Sequence, residues 1–206
     1  MKRCAIPLML CAWSACAEMS DHVKWSLEII PPAAAPGGKV LGHLTAKIDP
    51  GWHLYSLSTP PGPIPTTIKL ADQKAIERFR ILQPKPVRKF DPNFNADTET
   101  YEAQADFLIE LELRKDAPAG VIEITAEPRY QVCSDKSCIP PVTRKATATL
   151  NVDPGASAAA ITIPPDYAEP KARPLQSGQP ASVSSGESIF AFLAVAFGFG
   201  LAAIFT

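Results

Sequence analysis

Residues 107–113 read Phe-Leu-Ile-Glu-Leu-Glu-Leu, with apolar side chains at every second position. Successive side chains of a β-strand point to opposite faces, so this period is typical of a strand with one buried face. The pattern recurs in four other stretches, separated by turn-forming residues: 23–29, 40–48, 122–124 and 146–152. Many short strands without a βαβ rhythm predict an all-β fold, an immunoglobulin-like antiparallel β-sandwich over residues 18–152.

Two segments between these strands give weaker signals. Residues 72–79 are predicted to contain one short helical turn. Residues 83–102 hold three prolines and two phenylalanines and read as the longest irregular piece of the domain. Loops of this length in compact domains tend to be lids or binding loops, so we expect such a role here.

The size and charge of the chain limit its function. Its 206 residues suffice for one ordinary domain with tails. Its 20 basic and 21 acidic side chains give a formal net charge of -1, with no long block of one sign. Proteins that bind nucleic acids or anionic lipids carry basic patches, and this sequence shows none. We therefore exclude nucleic acid as a partner.

The amino terminus has the pattern of an export signal. Lys2 and Arg3 precede an apolar stretch, and Ala15-Cys16-Ala17 is a cleavage site of the A-x-A type. We expect residues 1–17 to be a signal peptide. Lipid attachment at Cys16 and a first buried strand or helix are the alternatives.

The carboxyl end predicts a tether. Residues 153–187 are rich in Pro, Ala, Ser and Gly and lack a sustained period, which is typical of a disordered linker. Residues 188–206 are almost entirely apolar, and we interpret them as the truncated start of a first transmembrane helix. A buried helix of a soluble protein is the alternative. We expect the chain to be a fragment of a longer membrane protein that continues after Thr206.

Export changes how the cysteines are interpreted. Three of the five lie in the signal region, so cleavage after Ala17 leaves Cys133 and Cys138. If residues 134–137 form a four-residue hairpin loop, these two cysteines are an opposed cross-strand pair within disulfide range. An oxidising compartment favours that bond.

The position of the pair favours exchange over stapling. A loop this small constrains the unfolded chain little. Pro140 and Pro141 cannot donate ladder hydrogen bonds, which indicates a sheet edge that a partner can reach. An inert structural disulfide remains the main alternative. Soft-metal binding, such as Cu(I) on two thiolates, is a weaker one because no His or Met adjoins the pair. We expect no metal and no cofactor.

The segment from Tyr130-Gln-Val-Cys133 to Cys138-Ile-Pro-Pro141, with the linker and apolar span behind it, resembles a known family. It is similar to the amino-terminal periplasmic domain of the thiol:disulfide interchange protein DsbD, over residues 23–206. The resemblance implies a protein-disulfide reductase whose periplasmic domain is anchored in the bacterial inner membrane. The complete activity would need membrane and thioredoxin-like domains outside this chain.

The resemblance also implies partners. Cys133 and Cys138 would be the catalytic pair, reduced by the thioredoxin-like domain of the same protein. They would in turn reduce periplasmic disulfide isomerases and the thioredoxin-fold proteins of cytochrome c maturation. A non-enzymatic, immunoglobulin-like assembly or binding module with a structural disulfide is the runner-up.

Other site residues follow from the same resemblance. It implies a cap loop that shields the disulfide, at Asp97, Glu99 and Tyr101, with Tyr101 as the shield. It places Tyr55 and Tyr130 as aromatic neighbours of the cysteines, although core packing explains Tyr55 as well. His53 and Trp52 adjoin Tyr55, and we interpret His53 as a surface or satisfied histidine.

The two cysteines are predicted to differ in role. Pro140 and Pro141 interrupt the ladder beside Cys138 and should leave that side open, whereas Cys133 follows a strand. We therefore expect Cys138 to carry the covalent link to a partner and Cys133 to resolve it, as the resemblance also implies.

Overall fold

The computed structural model describes residues 21–71 and 74–171. The predicted signal peptide, the second half of the predicted linker and the predicted transmembrane segment lie outside these residues. Within the described part, no helix is long and apolar enough to cross a membrane.

The described residues contain thirteen strands and no helix. They are β1 (Val23–Ile30), β2 (Ala33–Ala34), β3 (Lys39–Ile48), β4 (His53–Tyr55), β5 (Thr67–Leu70), β6 (Ile76–Pro84), β7 (Val87–Asp91), β8 (Ala96–Glu102), β9 (Gln104–Leu113), β10 (Gly120–Cys133), β11 (Cys138–Thr143), β12 (Ala146–Val152) and β13 (Tyr167–Ala168).

The strands form two sheets. Sheet 1 has the order β1-β3-β9-β6-β13. Sheet 2 has β2-β12-β10-β4-β8-β7 in a row, and both β11 and β5 pair with β10. Every pairing is antiparallel except the short contact between β12 and β2. The predicted all-β, antiparallel sandwich is confirmed.

The five predicted alternating stretches are all strands, and their apolar positions build the core. Phe107, on β9 of sheet 1, is fully buried. Its ring meets Trp25 of β1 at 6.0 Å and, nearly perpendicular to it, Tyr101 of β8 at 5.6 Å, measured between ring centroids. Trp25 in turn meets Tyr130 of β10 at 5.3 Å. The aromatic rings therefore join sheet 1 to sheet 2.

Two local predictions differ from the structure. Of the helical turn predicted at 72–79, residues 72 and 73 lie outside the described residues, 74–75 form a turn, and 76–79 open strand β6, in which Phe79 pairs with Leu111 and Leu82 with Leu108. Residues 83–102 are not one irregular loop, because most of them form β7, β8 and the end of β6. In both places the ladder with a neighbouring strand outweighs local composition.

The first half of the predicted linker lies against the sandwich. Leu41, Leu82 and Leu108 form a buried cluster separate from the main core, on the outer face of sheet 1. Ile161, Ile163 and Tyr167 pack on this cluster. Strand β13 then pairs with the end of β6. Residues 161–169 thus add a partial third layer over sheet 1, and we call them the strap.

The core makes a direct prediction about stability. Phe107→Ala should lower the free energy of unfolding by about 3–5 kcal/mol, because it leaves a cavity between the sheets. Phe79→Ala, at a ring that is 46% exposed on the neighbouring β6, should cost clearly less. Urea unfolding of both variants measures the difference. Equal losses would contradict the assignment of Phe107 to the centre of the core.

Candidate redox site

A disulfide joins Cys133 and Cys138 at the tip of the β10–β11 hairpin. The two residues are direct partners in the ladder, with Cα atoms 4.0 Å apart. Ser134 and Ser137 close the loop, with the Ser134 N–H donating to the Ser137 carbonyl at 2.8 Å. The predicted four-residue loop and opposed cysteine pair are both present.

The two cysteines differ in access. Cys133 is fully buried, whereas Cys138 is half-buried. Among the described residues, β11 pairs only with β10, so its other side is an edge of sheet 2. Pro140 and Pro141 lie on that edge strand, where a missing N–H costs no ladder bond. The Cys138 side of the bond therefore faces the surface.

The disulfide lies on the outer side of sheet 2, away from the main core. Tyr130 and Val132 of β10 belong to the main core, so strand alternation turns Cys133 to the other face. On β4 the same rule applies: Leu54 enters the core, and its neighbours His53 and Tyr55 face outward.

Pairing between β10 and β4 sets His53 beside the cysteine. His53 is the direct ladder partner of Cys133, and Leu54 is the partner of Val132. The turn before β4 has the Trp52 N–H donating to the Asp49 carbonyl, with Gly51 at a φ of 81°. Glycine adopts this positive φ without steric cost, so the turn can deliver β4 in this register.

Behind the cysteines lies a buried polar cluster of His53, Tyr55 and Asp91. The Tyr55 hydroxyl donates to Asp91 Oδ2 at 2.7 Å and lies 3.1 Å from His53 Nε2. His53 Nε2 is 3.4 Å from Asp91 Oδ2. All three side chains are almost completely buried, so their charges are only weakly screened by water.

Burial governs the protonation of the cluster. Burial lowers the pKa of His53 below its usual value, although Asp91 acts in the opposite direction. Burial alone would raise the pKa of Asp91, but hydrogen bonds from Tyr55 and Asn93 outweigh it and leave that pKa low. Burial and the bond to Asp91 raise the pKa of Tyr55 far above its usual value. At neutral pH the cluster is therefore a neutral imidazole, a phenol and a carboxylate.

The turn between β7 and β8, residues 92–95, lies against the cysteine loop. Asn93 Nδ2 donates to the Ser134 carbonyl at 2.9 Å and to Asp91 Oδ1 at 3.2 Å. The Phe94 ring lies nearly perpendicular to the Tyr55 ring, with the centroids 5.9 Å apart. Asn95 adopts a φ of 50°, which asparagine tolerates better than most residues. This turn connects the polar cluster to the residue that follows Cys133.

The residues predicted as a cap loop lie elsewhere. Asp97, Glu99 and Tyr101 are on strand β8, not in a loop. Tyr101 points into the main core, where its hydroxyl donates to the Pro84 carbonyl at 2.8 Å. A core side chain of an inner strand cannot cover a bond on the outer face of the sheet.

The predicted aromatic neighbours separate in the same way. Tyr55 is in the polar cluster on the outer face, where its hydroxyl lies 3.1 Å from Nε2 of His53, the ladder partner of Cys133. Tyr130 is three residues from Cys133 in sequence but faces the core, where it donates to Asp21 at 2.7 Å. The fold thus places Tyr55 on the face of sheet 2 that carries the disulfide and turns Tyr130 to the other face.

Asp91, Asn93 and Phe94 were not predicted as site residues, and His53 is a buried histidine that is hydrogen-bonded to Tyr55. The stretch Asp91-Pro-Asn-Phe-Asn95 does carry a turn signal, since Asp-Pro and Asn favour turns. That signal could have divided the supposed loop into two strands and a turn. Nothing local indicates that Asp91 is buried.

Within residues 21–71 and 74–171, no three His, Cys, Asp or Glu side chains converge to hold a metal ion. The expectation that the domain uses no cofactor stays a prediction.

Comparison with known proteins gives one family. The model of the N-terminal region of the thiol:disulfide interchange protein DsbD matches residues 27–150. The N-terminal periplasmic domain of ScsB from Proteus mirabilis is 19% identical, with a TM-score of 0.48, over 65% of this chain and 47% of that one. The reduced N-terminal domain of DsbD from Neisseria meningitidis is 17% identical, with a TM-score of 0.37, over 62% and 86%. No curated protein sequence matches.

The protonation of His53 should appear in the pH dependence of stability. Because its pKa is lowered in the folded state, the unfolded chain binds the proton first as the pH falls below about 6.5, and stability falls with it. His53→Gln should reduce this loss, by at most about 1.4 kcal/mol per pH unit for one proton. Urea unfolding between about pH 7.5 and pH 5.5 measures it.

His43 provides the control, since it is half-buried on β3 of sheet 1, whereas the polar cluster lies on sheet 2. The pH slope of His43→Gln is the reference for removing a histidine outside the cluster. An unchanged slope in His53→Gln would show that His53 does not titrate as its burial requires.

Proposed function

Since the chain belongs to the family of the N-terminal domain of the thiol:disulfide interchange protein DsbD, we propose that Cys133 and Cys138 relay electrons by thiol-disulfide exchange. The domain would act as the periplasmic relay of a protein-disulfide reductase. The family itself is defined as part of a thiol:disulfide interchange protein. The direction of electron flow and the partners are our proposal.

One observation carries this proposal: the disulfide pairs a half-buried Cys138 with a fully buried Cys133. Disulfide exchange needs one sulfur that a partner can reach and a second that resolves the mixed disulfide. A structural staple needs neither. The asymmetry across a single hairpin tip therefore supports exchange.

The reaction balances within the pair. The Cys138 thiolate attacks one sulfur of the partner's disulfide, and the other partner sulfur leaves as a thiolate. The Cys133 thiolate then attacks Cys138 Sγ, which forms the intramolecular disulfide and releases the second partner thiol. Two electrons pass to the partner. The domain returns to the dithiol when a reduced partner runs the same steps in reverse.

We propose that the polar cluster accepts the proton of the Cys133 thiol when that thiol ionises. A buried thiol ionises with difficulty because burial disfavours the charged form. His53 is the ladder partner of Cys133; burial makes its neutral imidazole a weaker base, and the nearby Asp91 acts against that effect. Asp91, 3.4 Å from His53 Nε2, would stabilise the imidazolium that results.

We propose the thioredoxin-like domain of the same protein as the electron donor. Periplasmic disulfide isomerases and the thioredoxin-fold proteins of cytochrome c maturation would be the acceptors. The apolar residues 188–206 would anchor the protein in the bacterial inner membrane. These proposals rest on family membership and on the sequence pattern.

An inert disulfide in a binding module is the second candidate, since the bond also joins two neighbouring strands of sheet 2, β10 and β11. Equilibration with a dithiothreitol couple separates the two functions. An exchangeable pair should have a reduction potential above roughly -300 mV, and a much lower value would support the structural role.

Trapping tests the roles of the cysteines. Reduced Cys133→Ser, mixed with an oxidised periplasmic thioredoxin-fold protein, should accumulate the mixed disulfide, because no thiol in the domain can resolve it. Cys138→Ser should trap little, since Cys133 is buried. A non-reducing gel measures both adducts. Equal trapping, or a reversed preference, would overturn the assignment.

The cover of the disulfide can be tested separately. We propose that the 92–95 turn, and not Tyr101, limits access, since Asn93 bonds to the cysteine loop and Phe94 packs on Tyr55. Phe94→Ala should make reduction by dithiothreitol several-fold faster. Phe90→Ala, at a ring that is 58% exposed on β7, is the matched control and should leave the rate unchanged.

Tyr101→Ala should change the stability of the domain and not the access to the disulfide. It should lower the free energy of unfolding by about 3 kcal/mol or more, as expected for loss of a buried ring. Dithiothreitol should reduce the disulfide of this variant faster only to the extent that the variant unfolds more often. Faster reduction in Tyr101→Ala at unchanged stability would restore Tyr101 as the shield.

A further inference from the structure

The strap, residues 161–169, is fastened to sheet 1 by three kinds of contact. Its apolar side chains cover the Leu41, Leu82 and Leu108 cluster. Its strand β13 pairs with the end of β6, where Tyr167 opposes Pro84 and Ala168 opposes Gln83. Glu169 lies 3.3 Å from Arg80 of the same strand. The exposed ion pair contributes little, so the apolar contacts and the ladder hold the strap.

Gln83, which the strap pairs with, also holds the loop that follows Tyr55. Its side chain is buried and accepts a hydrogen bond from the Leu57 N–H at 2.9 Å. Its amide nitrogen donates to the Ser58 hydroxyl at 2.7 Å. The Tyr101 hydroxyl adds a longer bond of 3.3 Å. A single residue therefore contacts the strap through its backbone and the 56–58 loop through its side chain.

The 56–58 loop continues directly from the polar cluster. Ser56 follows Tyr55, and its N–H donates to the Glu99 carbonyl at 2.8 Å. The Ser58 hydroxyl donates to the Glu99 carboxylate at 2.7 Å. If Gln83 shifts, the Leu57 N–H loses its acceptor, and the Ser58 hydroxyl loses one of its partners but keeps Glu99. Such a loss is costly, so the loop would open locally.

We propose that the strap controls the order of the redox site, with Gln83 as the relay. The docked strap fixes the end of β6, Gln83 fixes the loop, and the loop fixes Tyr55 beside His53 and Asp91. Release of the strap loosens that side of the site and makes the disulfide easier to reduce. This regulation rests on the proposed exchange function, but the coupling between strap and loop can be measured without it.

Hydrogen exchange in the 206-residue chain tests the coupling. The double variant Ile161→Ser/Ile163→Ser removes the apolar contacts of the strap, and Thr162→Ala, at the exposed position between them, is the matched control. Exchange of the Leu57 amide should become roughly 5- to 30-fold faster in the double variant. It should stay unchanged in Thr162→Ala.

Amides of the β10–β12 ladder, such as those of Ile124 and Leu150, report global unfolding. They must accelerate less than the Leu57 amide. If all accelerate equally, or if Leu57 does not respond, the proposal is wrong. Should the double variant fail to fold, Ile163→Ala gives the same readouts with a smaller perturbation.

A double-mutant cycle isolates the relay. In Gln83→Leu, which removes the amide bonds at similar volume, releasing the strap should add nothing to Leu57 exchange. Gln131→Leu is the matched control, because Gln131 Oε1 accepts a bond from another loop amide, Ile64, at 3.0 Å. In that background strap release should still act on Leu57. Equal responses in both backgrounds would exclude Gln83 as the relay.

Reduction by dithiothreitol gives the functional readout. The strap variant should be reduced several-fold faster than Thr162→Ala. An unchanged rate would overturn the control of the site by the strap. Failure of the parent protein to exchange with any thioredoxin-fold partner would instead overturn the proposed function, and it would leave the Leu57 result as it stands.

Discussion

Strand β10 is the element on which the site depends. It is the longest strand among the described residues, and its backbone pairs with β12, β5, β11 and β4. Its last residue, Cys133, is thus held between Cys138 on one side and His53 on the other. Because a shift of one residue would turn every side chain to the opposite face, this register decides what adjoins the disulfide.

His53, Tyr55 and Asp91 are buried on the outer face of sheet 2, the face that carries the disulfide. A buried carboxylate is costly unless it is well bonded, and Asp91 receives donors from Tyr55 and Asn93. The same bonds fix the turn that reaches the cysteine loop. The electrostatic requirement of Asp91 therefore also positions the 92–95 turn beside the cysteine loop.

The outer face of sheet 1, on the far side of the sandwich, is also covered. This face carries leucines where exposed sheets usually carry polar residues, and the strap covers them. The strap pairs with the residue that bonds the loop after Tyr55. Residues 161–169, which composition assigns to a linker, thus pack on the sandwich and contact the residue that holds the 56–58 loop.

The amino-acid sequence by itself determined the class of the fold and the pairing of the cysteines. Alternation at Phe107 to Leu113 is a local property, and so is the short spacing of Cys133 and Cys138. Tertiary structure alone decided the rest. Whether Tyr101 enters the core, and whether Asp91 meets Tyr55 and His53, depends on which strands become neighbours in a sheet. That choice rests on contacts between residues far apart in the chain, such as the 36 positions that separate Tyr55 from Asp91, and no local pattern encodes them.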